Sequence, residues 1–298
     1  HGTHETLGRL HPQSPTFAIN IPELCGKCHR EGETATVRYT GTEKDIVNHY
    51  TESIHGKGLI KSGLTVTATC TDCHTAHKEL PHTNPESSIN RNNISSTCGT
   101  CHHGIEEQFA KSIHSPLVSD TNKELPVCFD CHSAHEIKRA DTEGFKLEIM
   151  TQCGRCHKEI AETYFDTYHG KVSQLGYTKT AKCYDCHGAH DILPVINPES
   201  KLSRENVVET CRTCHPSANR QFAGYLTHAT HHDPDKYPFL FWVFWGMTGL
   251  VIGTFLIAGA HTILWLPRSL EWRRKLKKMH KENEELSELN DENKEETE

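Results

Sequence analysis

The chain has 298 residues, which allows one or two domains. Its formal charge is −7 and the stretch 1–236 holds no basic patch, which argues against a nucleic-acid partner. Apolar residues make up only 35%, and one run at 239–266 holds a large share of them. The remainder is too poor in aliphatic side chains for an ordinary core, so something else should fill its interior.

Cysteine spacing carries the argument. All 14 cysteines fall in seven Cys-x-x-Cys pairs, each followed at once by histidine. In chain order the motifs are Cys25-Gly-Lys-Cys28-His29, Cys70-Thr-Asp-Cys73-His74, Cys98-Gly-Thr-Cys101-His102, Cys128-Phe-Asp-Cys131-His132, Cys153-Gly-Arg-Cys156-His157, Cys183-Tyr-Asp-Cys186-His187 and Cys211-Arg-Thr-Cys214-His215. This is the attachment motif of c-type haem. Two thiols at that spacing reach the two vinyl groups of one porphyrin, and the next imidazole sits under the iron as proximal ligand. Zinc ribbons and redox dithiols compete. A four-cysteine zinc site uses two pairs, so seven pairs leave one over, and neither alternative explains a histidine after every pair. The motifs therefore predict seven covalent haems c. With the thiols consumed as thioethers, disulfides and thiol catalysis drop out.

The sequence opens on the polar His1-Gly2-Thr3-His4, with no signal peptide in view. The odd-numbered motifs are each followed by Ile-x3-(Phe/Tyr)-x4-His: Ile46, Tyr50, His55; then Ile105, Phe109, His114; then Ile160, Tyr164, His169; with a degenerate copy at Phe222 and His228. In the later copies this histidine follows the motif histidine at a near-constant gap, His102 to His114, His157 to His169 and His215 to His228. The gap is about twice as long in the first copy, His29 to His55, which carries a Thr/Gly-rich insertion at 31–44. The even-numbered motifs read Cys-x-Asp-Cys-His-(Thr/Ser/Gly)-Ala-His and place second histidines at His77, His135 and His190. The unit is a two-haem module present three and a half times. The spacing of Ile105, Phe109 and Ile113 suits one helical face, with Gly56, Gly170 and Ser115-Pro116 as stops after the histidine. Each motif is expected at the start of a short helix. The stretches between motifs, rich in Pro, Asn, Thr and Ser, read as loops.

The motif histidines offer seven proximal ligands. The repeat-placed histidines His55, His77, His114, His135, His169, His190 and His228 are also seven. The balance predicts two imidazoles on every iron, leaving no open position for a substrate. His77 lies three residues after His74 and so should serve a neighbour's haem. His103 stands where the other odd motifs carry Arg30, Lys158 and Pro216, and is read as a non-ligand. His1, His4, His11, His49, His82, His231 and His232 have no repeat support. The haems answer the composition problem, with Phe109, Tyr164 and Phe222 expected to pack on them.

Between Lys236 and Arg268 there is no Asp, Glu, Lys or Arg. The run at 239–266 is long enough to cross a hydrocarbon core of ~30 Å. Tyr237, Phe239, Phe241, Trp242, Phe244 and Trp245 crowd one end and Trp265 marks the other, as an aromatic belt does. Arg268, Arg273, Arg274, Lys275, Lys277, Lys278 and Lys281 follow, so the positive-inside rule makes that end cytoplasmic and leaves the haem domain outside. The expected division is 1–236, an exported heptahaem domain; 237–267, a transmembrane helix; and 268–298, a basic amphipathic helix with Trp272, Leu276 and Met279 on one side, lying on the membrane surface, and an acidic tail. His261, ~33 Å along the helix from Phe239, is the one ionisable group in the span. It would ligate a haem b or touch a quinone at a partner interface.

These features resemble a membrane-anchored multihaem c-type cytochrome. The Cys-x-x-Cys-His motifs, the Ser53-Ile54-His55-Gly56 type segments and the Cys-His-x-Ala-His motifs carry the likeness over residues 25–232. The C-terminal anchor, with Ala260-His261-Thr262-Ile263-Leu264-Trp265 and basic residues after it, resembles that of heptahaem subunits partnering a membrane cytochrome b in Cbc-type quinol oxidoreductase complexes. The resemblance implies a mainly α domain with much irregular loop, packed around its haems, plus one transmembrane helix. It implies an electron conduit between a quinone-reactive membrane partner and a periplasmic or extracellular redox protein, in either direction. The rival class is a reductase of small nitrogen or sulfur compounds with one open iron, for which the degenerate seventh module is the expected place.

Overall fold

The structure is a computed structural model. It describes residues 1–41, 43–224 and 228–295, with 285–295 as backbone. The described residues are mainly helical, with no strand among them. They form two compact units, His1–His228 and Ala229–Glu298, so the first ends at the last repeat-placed histidine, short of the expected boundary at 236.

Among the described residues the first unit holds a series of short α-helices: α1 (Ile21–His29), α2 (Thr34–Arg38), α3 (Ile46–Glu52), α4 (Ile54–Ile60), α5 (Cys70–His74), α6 (Ile94–Gly99), α7 (His103–Phe109), α8 (Cys128–His132), α9 (Glu143–Cys156), α10 (Lys158–Asp166), α11 (Tyr168–Gln174), α12 (Cys183–His187), α13 (Val207–Arg212) and α14 (Arg220–Ala223). The even motifs begin helices, and their aspartate is the reason. Asp72 accepts the Thr69 N–H at 2.7 Å, Asp130 that of Val127 at 2.7 Å and Asp185 that of Lys182 at 2.8 Å. Each carboxylate thus satisfies a donor at the start of α5, α8 or α12.

The odd motifs differ from the expectation. They lie in or just after the last turns of α1, α6, α9 and α13. No aspartate stands inside these motifs, and the helices are anchored upstream instead. Before three of them an asparagine amide bridges two carbonyls. Asn20 Nδ2 donates to Pro12 and Ser14 at 3.0 and 2.9 Å, Asn93 to Pro85 and Ser87 at 2.8 and 2.8 Å, and Asn206 to Pro198 and Ser200 at 2.8 and 3.0 Å. Helix α9 is capped by Thr142, whose hydroxyl accepts from Phe145 N.

The segments carrying the second histidines also depart from the expected single helix. The break falls before the histidine, not after it. Ser53 separates α3 from α4, and Thr167 separates α10 from α11. Their hydroxyls accept from Gly56 N at 3.0 Å and Gly170 N at 3.2 Å. In the middle module α7 ends at Phe109, so Ile113 is off the helix. Tyr50 donates its hydroxyl to the Ala68 carbonyl at 2.9 Å and Tyr164 to Ala181 at 2.7 Å, each just ahead of the next motif.

Few apolar side chains are buried: Ile21, Val47, Leu59, Ile94, Phe145, Met150, Tyr164 and Ala218. Among the described residues buried polar side chains, mostly serine and threonine, outnumber them. Polypeptide alone therefore makes a thin core, as the composition requires.

The second unit is dominated by α15 (Pro238–Glu295). Asp233 Oδ1 accepts from Asp235 N and Lys236 N at 3.0 and 2.8 Å just ahead of it, and Pro238 opens it, where a missing N–H costs nothing. Residues 238–284 form one helix long and apolar enough to cross a membrane. Its apolar side chains are exposed, Phe239 by 77% and Trp242 by 71%, which in water would be unfavourable over the whole length. The basic stretch after the apolar run is helical as expected, but it is not a separate element among the described residues. The described part of 268–295 continues α15 through Pro267 without a break, although Pro267 withholds one backbone donor. Residues 296–298 of the acidic tail lie outside the described residues.

Candidate metal centre

The short helices bring histidines together two at a time. Six pairs each join a motif histidine to a repeat-placed one, with ring centroids 6.2 Å apart for His55–His102, 6.2 Å for His74–His135, 6.1 Å for His114–His157, 6.1 Å for His132–His190, 6.2 Å for His169–His215 and 6.3 Å for His187–His228. The separation barely changes while the angle between ring planes runs from 1° to 41°. Rings in direct contact would separate as they tilt. A fixed distance with free rotation is what a shared atom between them would impose. A metal–imidazole bond of about 2 Å plus about 1.1 Å from nitrogen to ring centre, taken twice, gives about 6.2 Å.

The pairing obeys a simple order. An odd motif faces the histidine of the preceding odd segment: His102 takes His55, His157 takes His114 and His215 takes His169. An even motif faces a histidine further along the chain: His74 takes His135, His132 takes His190 and His187 takes His228. Local geometry explains why no even motif uses its own second histidine. The residue after each motif histidine turns to positive φ, 69° at Thr75, 64° at Ser133 and 88° at Gly188. That turn carries the next histidine away from the motif it follows. Backbone bonds then tie the paired segments: Ile54 N donates to Ile137 O and Ile113 N to Ile192 O, both at 2.8 Å. Each clamp joins the residue before an odd-segment histidine to the carbonyl two residues after an even-motif one.

Among the described residues no disulfide joins the cysteines. Within a module the first cysteines of the two motifs lie within side-chain reach of each other: Cys25 of Cys70, Cys98 of Cys128, and Cys153 of Cys183. Between modules the second cysteine of an even motif lies within electrostatic reach of the next odd motif. Cys73 neighbours Cys98 and Cys101, Cys131 neighbours Cys153 and Cys156, and Cys186 neighbours Cys211 and Cys214. The seven motifs therefore follow one another in space in chain order. No three atoms of these cysteines and histidines come within 4.8 Å of one another among the described residues, so the motifs themselves do not gather a tetrahedral zinc site.

Burial sets the electrostatics. It holds His55, His74, His114, His132, His135, His169, His187 and His190 below the ordinary imidazole value, keeping them neutral, the form that binds metal. Burial also pushes the Cys131 and Cys186 thiols up to about 11, which makes them poor thiolates. A paired-imidazole site with two thiols beside one ring fits haem c. On that fit the cysteines would hold the macrocycle, and the paired histidines would hold its iron.

One repeat-placed histidine, His77, and one motif histidine, His29, stand outside these six pairs. His77 faces His1, with centroids 5.9 Å apart and rings 3° from parallel. His29 lies near His74, and no described imidazole faces it as a partner. His215 and His187 both have partners, so the degenerate seventh module is not the place left open. His103 lies beside the Glu106 and Glu107 carboxylates, at 3.9 and 3.4 Å. His49 pairs with Glu43, and His231 lies against His232 and Phe244.

Two residues were missed in the sequence. Phe145 is buried and stacks on His132, 5.3 Å between centroids at 7°. Only tertiary packing reveals it. The signal for His1 was present: His1-Gly-Thr-His4 parallels His187-Gly-Ala-His190. Of the expected packing aromatics, Phe222 lies 4.9 Å from the His215 ring, while Tyr164 is a buried hydrogen-bonded clamp. His261 is exposed on α15. The chain matches no family model, no curated protein and no solved structure.

Proposed function

We propose that the first unit is a multihaem electron conduit. The six facing pairs of motif and repeat-placed histidines carry this reading. A haem iron held by two of these imidazoles would have no site for substrate and would only change its oxidation state. The contacts between successive motifs would line the haems up in chain order, so an electron would pass from one end of the unit to the other. The motif at Cys211, nearest in sequence to α15, would be the membrane-side end, and that at Cys25 the far end.

On this reading α15 anchors the chain in the cytoplasmic membrane, with the haem unit on the periplasmic or extracellular face and the basic residues after Trp265 inside. The partners would be a membrane cytochrome b or other quinone-reactive subunit at one end and a redox protein outside the membrane at the other. His261 would meet that subunit, a haem b or a quinone there.

A second reading has one observation behind it. No described imidazole faces His29, so an open iron on that motif would bind nitrite, hydroxylamine or sulfite. Haem stoichiometry by pyridine haemochrome, with low-temperature EPR of the oxidised protein, tests both. Seven covalent haems, at least six of them low-spin, with spectra unmoved by those three ligands, are expected of the conduit. Fewer than six low-spin haems would overturn it. Ligand-induced change in a single high-spin signal would establish the second reading.

A further inference from the structure

The pair that no motif explains, His1 with His77, repeats the pairing order of the even motifs. His74 faces the histidine three residues after the motif at His132, and His132 faces the one after His187. By the same step, His77 should face the motif histidine one even position earlier, and the residue it faces is His1. The rings are 5.9 Å apart at 3°, against 6.2 Å at 1° for His74–His135.

The chain that follows His1 supplies an independent match. Leucine, proline, serine, asparagine and cysteine follow His1 at Leu7, Pro12, Ser14, Asn20 and Cys25. The same five residue types stand at identical offsets after His74 (Leu80, Pro85, Ser87, Asn93, Cys98) and after His187 (Leu193, Pro198, Ser200, Asn206, Cys211). The hydrogen bonds coincide as well. Serine Oγ donates to the leucine carbonyl at 3.2, 2.9 and 3.4 Å in the three copies, beside the asparagine bridges already described. His1 thus occupies the place held by the histidine of an even motif.

We propose that His1 and His77 are the two axial ligands of a further haem c, whose thioethers come from a Cys-x-x-Cys immediately ahead of His1. The proposal rests on the haem reading of the other motifs. Each attachment is an addition: the thiol S–H adds across a vinyl C=C, the sulfur bonds one carbon, the hydrogen goes to the other, and no oxidant or reductant is consumed. The same register accounts for His29. The facing histidines of the other odd motifs stand far ahead of the first cysteine, His55 ahead of Cys98, His114 ahead of Cys153 and His169 ahead of Cys211. Any of those offsets, counted back from Cys25, reaches ahead of His1.

The test is to place Cys-Thr-Asp-Cys, the sequence of Cys70–Cys73, directly before His1 in the full chain and mature it with covalent haem attachment. Pyridine haemochrome and intact mass should show one more haem than the chain starting at His1. In the extended chain His77→Ala should keep that count and convert one low-spin EPR signal to high-spin. An unchanged count, or a gain with no spin change on His77→Ala, overturns the proposal and leaves the haem reading of the other motifs standing. A chain with no covalent haem at all overturns both.

Discussion

Gly56 offers a sharp test of how the repeat-placed histidines are positioned. It follows His55 in the first turn of α4, where the backbone doubles back onto the end of α3. A Cβ there would lie 2.0 Å from the Tyr50 carbonyl oxygen and 2.7 Å from Thr51 Cα. Both obstacles are backbone, so no side chain can swing aside. Relief to ordinary contact requires about 1.4 Å of movement, and overpacking of this kind costs about 1–3 kcal/mol. The moving segment carries His55, and a displacement of about 1 Å is half a metal–imidazole bond of about 2 Å. Gly56→Ala should therefore detach His55 from the iron it would share with His102. EPR of the oxidised protein should lose one low-spin haem and gain one high-spin signal. The melting temperature should fall by roughly 4–10 °C. Gly104→Ala in α7 is the control: its Cβ meets nothing within 4 Å, so spin state should hold and helix propensity should add about 0.5–1 kcal/mol. Gly170→Ala, where the Cβ would lie 2.2 Å from the Tyr164 carbonyl, should repeat the effect at His169. A fully low-spin Gly56→Ala protein of unchanged stability would refute the close-approach argument.

Thr75 and Ser133 sit at φ 69° and 64° with extended ψ, a region that costs a non-glycine residue about 1–3 kcal/mol. Gly188 fills the same position in the third copy, so Thr75→Gly and Ser133→Gly should each raise thermal stability by a few tenths to about 1 kcal/mol after the entropy of glycine is subtracted. Asp130 accepts from Val127 N and pairs with Arg91 Nη2 at 2.6 Å. Asp130→Ala should therefore cost about 2 kcal/mol in denaturant unfolding. Asp72→Ala, which removes the cap on Thr69, should cost about 1 kcal/mol. Hydrogen bonding to Glu43 raises the His49 pKa. The pair's contribution is then complete below the unfolded histidine value of about 6.5 and is lost as pH rises through the higher folded value. The difference in melting temperature between the native chain and Glu43→Gln should close as pH rises above the unfolded histidine value of about 6.5; a gap that widens would contradict the pairing.

The repeat register was legible because it is written in cysteine and histidine, residues whose spacing is set by chemistry more than by packing. It separated the histidines that face one another from most of those that do not, since His49 and His103 are held by carboxylates. It did not yield the pairing. Each partner lies in another module, as far off in sequence as His135 from His74, and the choice depends on the turns at Thr75, Ser133 and Gly188. A positive φ at threonine or serine has no sequence signature. The helix breaks fall at Ser53 and Thr167, each three residues ahead of the expected stops at Gly56 and Gly170. Glycine after the histidine looked like a stop, whereas serine or threonine before it is the cap that opens a new helix. Continuity of α15 through Pro267 was equally hidden, because a change from apolar to basic composition marks a change of surroundings and not of backbone.

The direction in which each histidine finds its partner has a consequence for assembly. His55, His114 and His169 precede the motifs they face, whereas His135, His190 and His228 come long after His74, His132 and His187. On the haem reading, a chain delivered amino end first would complete the centres at His102, His157 and His215 as soon as their cysteines arrived. Its even centres would wait, half-ligated, until the later segment emerged. Biogenesis would thus proceed as a ratchet, each new module closing the vacancy of the one before it. A truncated chain would strand one unfinished even centre at its carboxyl end.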